Sequence, residues 1–206
     1  MTDSLRNTEV IFASGFTEKP HLRWSGIGQL HVDLEPVMAA SPGVRVRLPQ
    51  LWKSSAKELA RKLHTFRPHI GQVFLVCHSW GLGNFGRTFC EELRKLFGYT
   101  VRVVIVAADG VWRNRLLPTW LPVNASTLFS KRVSIKLPDN VDRVVQFRQR
   151  EGIPYGSPIK IESHPSGTRI EYVEVEGVKH TAMDETVEFR ERVLEEWKNF
   201  IGGETE

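Results

Sequence analysis

Apolar residues in the first part of the chain form short continuous runs, separated by longer segments with helical spacing. VFLVC (73–77) and VRVVIVAADG (101–110) contain almost no polar alternation, which is typical of parallel strands covered on both faces. EVIFASGF (9–16) is a shorter apolar run and predicts another buried strand. VRVRLP (44–49) alternates apolar and basic residues, which predicts a strand with one solvated face.

Three segments have apolar residues at every third or fourth position, as expected of amphipathic helices. The first is 54–66, where Ser55 is a suitable N-cap, and the second is 81–97. The third is 184–201, where Asp184 is interpreted as opening the helix because its charge suits the positive end of the dipole.

Two further apolar segments, 141–147 and 170–177, predict strands near the end of the chain. Strands that alternate with helices indicate an α/β fold with a mostly parallel central sheet flanked by helices. At 206 residues, without repeats or linkers, the chain is interpreted as a single domain over 1–206. Residues 111–136 lack a sustained period and contain two tryptophans. They are interpreted either as a lid over a binding site or as a connection packed on the sheet.

Composition narrows the function classes only slightly. Hydrophobic residues make up 41% and charged residues 25%, as in ordinary soluble proteins. A net charge of +4 does not indicate a nucleic-acid partner, and the basic residues between 113 and 150 are interpreted as a solvated face. No run approaches the roughly 18 apolar residues of a membrane span. The chain begins without a secretory pattern, so we expect a cytoplasmic protein in which Cys77 and Cys90 are free, buried thiols.

The segment VFLVCHSWGLGNFG (73–86) fits two motifs with different chemistry. Gly81, Gly83 and Gly86 have the spacing of a dinucleotide-binding turn, and Asp109 follows at the end of the next strand. That motif would make the protein a nucleotide-binding oxidoreductase. The bulky polar residues before the first glycine disfavour it, because the fingerprint leads a strand directly into that glycine.

The same segment also fits a sharp strand-to-helix turn that presents Ser79 as a nucleophile. A serine hydroxyl needs a histidine to accept its proton and a carboxylate to orient that histidine. Asp109 at a strand end and His180 beyond a later strand follow in chain order. The glycines then relieve crowding at the start of the helix. This interpretation gives all three residues a role.

Three short stretches, CHSWG (77–81), VAADG (106–110) and GVKHTAMDE (177–185), resemble the α/β-hydrolase superfamily in its small lipase- or esterase-like members. The resemblance implies a serine hydrolase in which Ser79 attacks, His180 is the base and Asp109 orients it. It also implies an oxyanion hole formed by the backbone N–H groups of Phe16, in SGF, and of Trp80.

One residue departs from the family pattern, and one carboxylate is an alternative candidate for the acid. The family pattern has glycine two residues before the serine, where this chain has Cys77. The carboxylate could instead come from Glu151, which follows a later strand, and we keep it as an alternative to Asp109. His78 should point away from the site as the sequence neighbour of the serine, so it is interpreted as a packing or hydrogen-bonding residue.

We therefore expect hydrolysis of a small-molecule carboxylic ester through an acyl-enzyme on Ser79. Thioester or amide cleavage by the same residues is the first alternative. An oxidoreductase using Gly81, Gly83 and Gly86, or a non-catalytic protein that keeps the turn as a scaffold, are alternatives from other classes. This mechanism requires no cofactor and no metal, and the histidines and two cysteines lack metal-ligand spacing.

Overall fold

The computed structural model describes residues 7–15, 26–111, 134–149, 156–161 and 169–203. The described strands are β1 Asn7–Ala13, β2 Val44–Val46, β3 Ile70–His78, β4 Arg102–Ala108, β5 Ile135–Leu137, β6 Val141–Gln149, β7 Ile159–Ile161 and β8 Arg169–Val175. The described α-helices are α1 Gly26–Ala39, α2 Ala56–Phe66, α3 Arg87–Phe97 and α4 Val187–Gly202. A π-helical turn, Gly81–Gly86, precedes α3, and a 3₁₀ helix, His180–Glu185, precedes α4.

Six strands form one sheet in the order β2-β1-β3-β4-β6-β8, and every pair in it is parallel. The continuous apolar runs of β3 and β4 occupy the centre of this order, where both faces are covered. The sheet confirms the predicted α/β class with a parallel central sheet flanked by helices. β5 and β7 form a separate two-stranded parallel sheet.

Alternate residues of the central strands face two different helical layers. One core contains Leu75 of β3 with residues of α2 and α3, such as Leu63 and Phe89. The other contains Phe74 with residues of α1 and α4, such as Leu34 and Trp197. This two-sided burial explains why the polar alternation expected of a half-exposed strand is absent from β3.

Helix α1 was not predicted from the sequence. Its sequence contains glycines at 26 and 28 and Pro36 inside the helix, all of which lower intrinsic helical propensity. Tertiary packing overrides that propensity, because Ile27, Leu30 and Leu34 are buried against the sheet. The predicted N-cap of α2 is confirmed, since the Ser55 side chain accepts a hydrogen bond from the Glu58 amide.

The prediction that Asp184 opens the last helix is wrong. The N-cap of α4 is Thr186, whose hydroxyl accepts from the Phe189 amide at 3.2 Å. Asp184 lies two residues earlier, inside the 3₁₀ helix, and is 3% exposed. Its carboxylate therefore faces the protein interior and not the amino end of α4.

One of the basic residues between 113 and 150, which the sequence predicts to lie on a solvated face, instead forms ion pairs. Arg143 on β6 contacts Glu196 of α4 at 2.6 Å and Glu171 of β8 at 2.8 Å. The hydrogen bond to Glu196 raises the pKa of the Arg143 guanidinium, against the opposing effect of partial burial. This network fastens α4 to the last two strands of the sheet.

No helix within the described ranges is long and apolar enough to span a bilayer.

Candidate active site

The carboxyl ends of three neighbouring strands bring the predicted site residues together. Ala13 of β1 pairs with Cys77 of β3, and His78 of β3 pairs with Ala108 of β4. Ser79 and Asp109 are the residues that follow these pairs. Parallel strands end at the same edge of a sheet, so the two side chains emerge next to each other.

The backbone at Ser79 has the sharp turn that the sequence predicts. Its φ is 50°, in the left-handed region that costs a residue with a side chain about 1–2 kcal/mol. Two backbone bonds hold the turn: the Ser79 amide donates to the Ala108 carbonyl at 2.9 Å, and the Val111 amide donates to the Ser79 carbonyl at 3.0 Å. The strand pairing of β3 and β4 thus extends into the turn and stabilises its strained conformation.

Two glycines allow the backbone to approach the turn closely. A Cβ atom on Gly81 would lie 2.3 Å from the Ala13 carbonyl oxygen, so only glycine fits between β1 and the start of the π-helical turn. A Cβ atom on Gly15 would lie 3.1 Å from the Ser79 Cβ and 3.2 Å from His78 Nδ1. The loop after β1 therefore packs directly against the predicted nucleophile.

His180 lies between the two other predicted residues. Its Nε2 is 2.8 Å from the Ser79 Oγ, and its Nδ1 is 2.5 Å from the Asp109 Oδ2. All three side chains are largely buried, with the His180 side chain 13% exposed and the Asp109 side chain fully buried. Residues separated by 101 and 71 positions in the chain are joined in one hydrogen-bonded series.

The partners of the imidazole determine its tautomer. A carboxylate only accepts hydrogen bonds, so Nδ1 carries the hydrogen and Nε2 presents a lone pair to the serine hydroxyl. In this tautomer the ring can accept the Ser79 proton, and the Asp109 carboxylate can stabilise the imidazolium that results. The arrangement is suited to activating an oxygen nucleophile.

Asp109 also has a left-handed backbone, with φ 47°. Its amide donates a hydrogen bond to the Phe147 carbonyl at 2.8 Å, which holds the residue in place. Gly156 packs over the carboxylate, because a Cβ atom there would lie 2.7 Å from the Asp109 Oδ1. The Ser157 amide donates to the Gly110 carbonyl at 2.7 Å and keeps this segment in place. The competing acid, Glu151, lies outside the described residues.

Of the two predicted oxyanion donors, the structure describes only Trp80. Phe16 lies outside the described residues, although its neighbour Gly15 contacts Ser79. Trp80 follows the nucleophile, and its side chain is 1% exposed and packs edge-on against Trp52 with ring centroids 5.1 Å apart. Residues 112–133, most of the predicted lid, also lie outside the described residues.

The glycines of the dinucleotide motif have a different environment from the one that motif requires. Gly81, Gly83 and Gly86 are buried in the π-helical turn. A Cβ atom on Gly86 would lie 3.2 Å from the Leu75 side chain and 3.4 Å from the Cys77 Sγ. Gly81 therefore packs closely on β1 and Gly86 on β3, which gives these two glycines a packing role in the turn.

Cys77 occupies the position where the family pattern has glycine, and its thiol is free and fully buried, as is that of Cys90. Burial, reinforced by the neighbouring Cys90, raises the pKa of the Cys77 thiol well above its ordinary value. Burial also raises the pKa of Cys90 strongly. Both side chains therefore behave as small apolar groups.

The described part of the chain holds no cluster of three or more metal-ligating side chains.

Two buried residues beside the site were not identified as functional from the sequence. His78 Nε2 is 2.9 Å from the His180 carbonyl oxygen, and His78 Nδ1 is 3.3 Å from the Asp184 Oδ2. Against the expectation that His78 points away from the site, its ring packs on the His180 ring with centroids 5.2 Å apart. The expected hydrogen-bonding role fits, and the partner is the backbone of the predicted base. Their signals in the sequence are weak: His78 is adjacent to Ser79, and Asp184 lies four residues after His180.

The structure thus has a parallel sheet between two helical layers, with Ser79 in a left-handed turn after β3 and His180 beyond β8. Two solved structures are similar over nearly the whole chain. The thioesterase domain SrfTE, described as cyclising the lipopeptide antibiotic surfactin, is 15% identical, with a TM-score of 0.45 over 91% of this chain and 90% of its own. Est1E from Butyrivibrio proteoclasticus is 11% identical, with a TM-score of 0.46 over 98% and 90%. The chain matches no protein-family model and no curated protein sequence.

Proposed function

We propose that this protein is a serine hydrolase that cleaves carboxylic esters of small molecules through an acyl-enzyme on Ser79. The observation that carries the proposal is the hydrogen-bonded series from the Ser79 Oγ through His180 to Asp109, at 2.8 and 2.5 Å. The left-handed turn at Ser79 supports it, because such strain persists where the surrounding structure enforces a functional geometry.

The proposed reaction assigns one step to each of these residues. The Ser79 oxygen attacks the acyl carbon while His180 Nε2 takes its proton, giving a tetrahedral intermediate and an imidazolium paired with Asp109. The backbone N–H groups of Phe16 and Trp80 receive the oxyanion, and each donor of this kind is worth about 3 kcal/mol in the transition state. His180 then protonates the leaving alcohol as the carbon–oxygen bond breaks. A water molecule, deprotonated by His180, releases the acid and restores the Ser79 hydroxyl.

Labelling with a fluorophosphonate tests the nucleophile directly, since the reagent phosphonylates an activated serine. We expect intact-protein mass spectrometry to find one adduct on the native protein and none on Ser79→Ala. Ser41→Ala is the matched control, because Ser41 lies in the turn before β2 at the opposite end of the strands. An adduct of equal yield on Ser79→Ala would contradict the proposal.

Leaving-group preference is measured by parallel hydrolysis of a p-nitrophenyl ester, an acyl thioester and an anilide of the same acyl group. The same three residues can serve all three reactions. We expect the ester to be the preferred substrate of the native protein, with no turnover of any of the three by Ser79→Ala. A thioester preferred over the ester would reassign the substrate class while keeping Ser79 as the nucleophile.

A further inference from the structure

A second histidine–carboxylate pair lies directly behind the predicted base. His78 and Asp184 are 2% and 3% exposed, and His78 Nδ1 lies 3.3 Å from the Asp184 Oδ2. The other ring nitrogen of His78, Nε2, contacts the carbonyl oxygen of His180 at 2.9 Å. The rings of His78 and His180 also pack together, with centroids 5.2 Å apart. The pair thus connects β3 to both ends of the segment 180–184.

The partners of the two ring nitrogens determine where the hydrogens of the pair lie. A carbonyl oxygen only accepts, so His78 Nε2 carries a hydrogen and donates it to His180. Nδ1 faces an Asp184 carboxylate oxygen at 3.3 Å, and this contact is attractive when either Nδ1 or Asp184 carries one proton. In either microstate the pair is neutral as a whole, which makes its burial tolerable. The donor to His180 is therefore present in both.

The short helix that carries His180 is attached at both of its ends, and Met183 between them is buried in the core. Glu185 at its end accepts from the Gly26 amide at the start of α1, at 3.1 Å. The hydrogen bond from His78 holds the opposite end, at the backbone of the base itself. The distance between His180 Nε2 and the Ser79 Oγ depends on the position of this backbone, and His78 is covalently adjacent to Ser79.

We propose that His78 and Asp184 are positioning residues: the His78 ring, oriented by Asp184, holds the His180 carbonyl and so sets the base at reacting distance from Ser79. This inference rests on the proposed function for its consequence in catalysis. Both side chains are buried, so the inferred role is exerted through His180 and not on the substrate itself. Displacement of a reacting group by about 1 Å can cost roughly 10²-fold in rate.

Substitutions at His78 separate the donor from the volume of the ring. His78→Phe keeps a ring and removes the hydrogen, and we expect kcat for p-nitrophenyl acetate to fall roughly 10- to 100-fold with KM nearly unchanged. His78→Gln places an amide N–H where Nε2 lies, and we expect it to be at least about ten-fold more active than His78→Phe, because it restores the donor.

Substitutions at Asp184 test the second half of the pair and decide the matter if His78→Phe does not fold. Asp184→Asn can donate an amide N–H to the Nδ1 of a neutral His78, whose Nε2–H still reaches His180. Asp184→Leu has a similar size and lacks that group. We expect the Leu variant to lose most of kcat and the Asn variant to retain the greater part of it. His64→Phe, on the exposed face of α2, is the control histidine and should leave kcat unchanged.

A spectroscopic measurement distinguishes failure of this inference from failure of the proposed function. The His180 Nδ1 proton, bound to a buried carboxylate, should give a far-downfield proton resonance that disappears in Asp109→Asn. We expect it to be lost or broadened in His78→Phe and retained in His78→Gln, with no substrate present. If the native protein hydrolyses no ester, the resonance still tests the positioning role. A native-like resonance and native kcat in both His78→Phe and Asp184→Leu would overturn the inference.

Discussion

Ser79 and Asp109 occupy equivalent places on adjacent strands, each directly after the paired residues His78 and Ala108. Both have a left-handed backbone, with φ 50° and 47°, and within the described ranges they alone do so without being glycine. The Ser79 amide is bound to the residue before Asp109. The predicted nucleophile and acid are therefore strained together, at one edge of the sheet.

The backbone of Ser79 predicts an unusual effect on stability. We expect Ser79→Gly to be more stable than Ser79→Ala by about 1 kcal/mol, because glycine adopts positive φ without steric cost. Both variants lose the hydroxyl equally, so their difference isolates the backbone. Urea unfolding followed by circular dichroism measures it. At Ser41, whose φ is not positive, the order should reverse; an alanine variant more stable than glycine at 79 would contradict the strained turn.

Asp109 should be the carboxylate on which turnover depends. In Asp109→Asn the side-chain amide can donate to the imidazole and favour the wrong tautomer, and in a serine protease that serves as a general example this change cost about 10⁴ in kcat. We expect a loss approaching that size in steady-state ester hydrolysis.

The matched variant for the acid is Glu151→Gln, which we expect to stay active with an unchanged circular dichroism spectrum. If Glu151→Gln is the inactive variant and Asp109→Asn retains activity, the acid is Glu151.

Gly81 should tolerate no side chain. A methyl group there would meet the Ala13 carbonyl at 2.3 Å, so backbone must move, at a cost of about 1–3 kcal/mol or more. We expect Gly81→Ala to lower the midpoint of urea unfolding and the rate of fluorophosphonate labelling. Gly202→Ala, in α4 with open space around the position, is the control and should be neutral or slightly stabilising. Equal midpoints for the two variants would count against the close approach.

The thiols of Cys77 and Cys90 should be inert while the protein is folded. Burial raises both pKa values, so neither forms the thiolate that reacts with iodoacetamide. We expect mass spectrometry to find no alkylation at pH 8 in buffer and two alkylations in urea. The thiol pKa values are higher in the folded protein than in the unfolded chain. The contribution of the two buried thiols to the free energy of unfolding is therefore complete below about pH 8.5 and declines as pH rises above it. Rapid alkylation of the folded protein would contradict the burial.

The parallel sheet could be predicted because its central strands carry uninterrupted apolar runs. The sequence also contained the signals for Ser79, Asp109 and His180, since each follows a strand in an order that a known superfamily shares. Their distances could not be predicted, because they depend on which strands are neighbours in the sheet. Helix α1 was missed because its glycines and Pro36 have low helical propensity and only packing on the sheet stabilises it.

Asp184 was assigned to the wrong element for a related reason. A carboxylate shortly before an amphipathic helix is typical of a helix start, and the sequence contains no sign that a 3₁₀ turn intervenes. The interior position of its carboxylate follows from contact with His78, more than 100 residues away in the chain. Long-range polar contacts of this kind have no local pattern.

The place of β8 in the sheet has a consequence for how activity is lost. Ser79 and Asp109 follow central strands, whereas His180 follows the edge strand β8, all of whose residues are at least partly exposed. Edge elements with few buried contacts open at lower free energy than the core. Detachment of β8 would leave the segment that carries His180 held only from its other side, by His78 and α1, while the serine turn and the acid stayed assembled. Mild denaturant should therefore lower activity before the sheet unfolds.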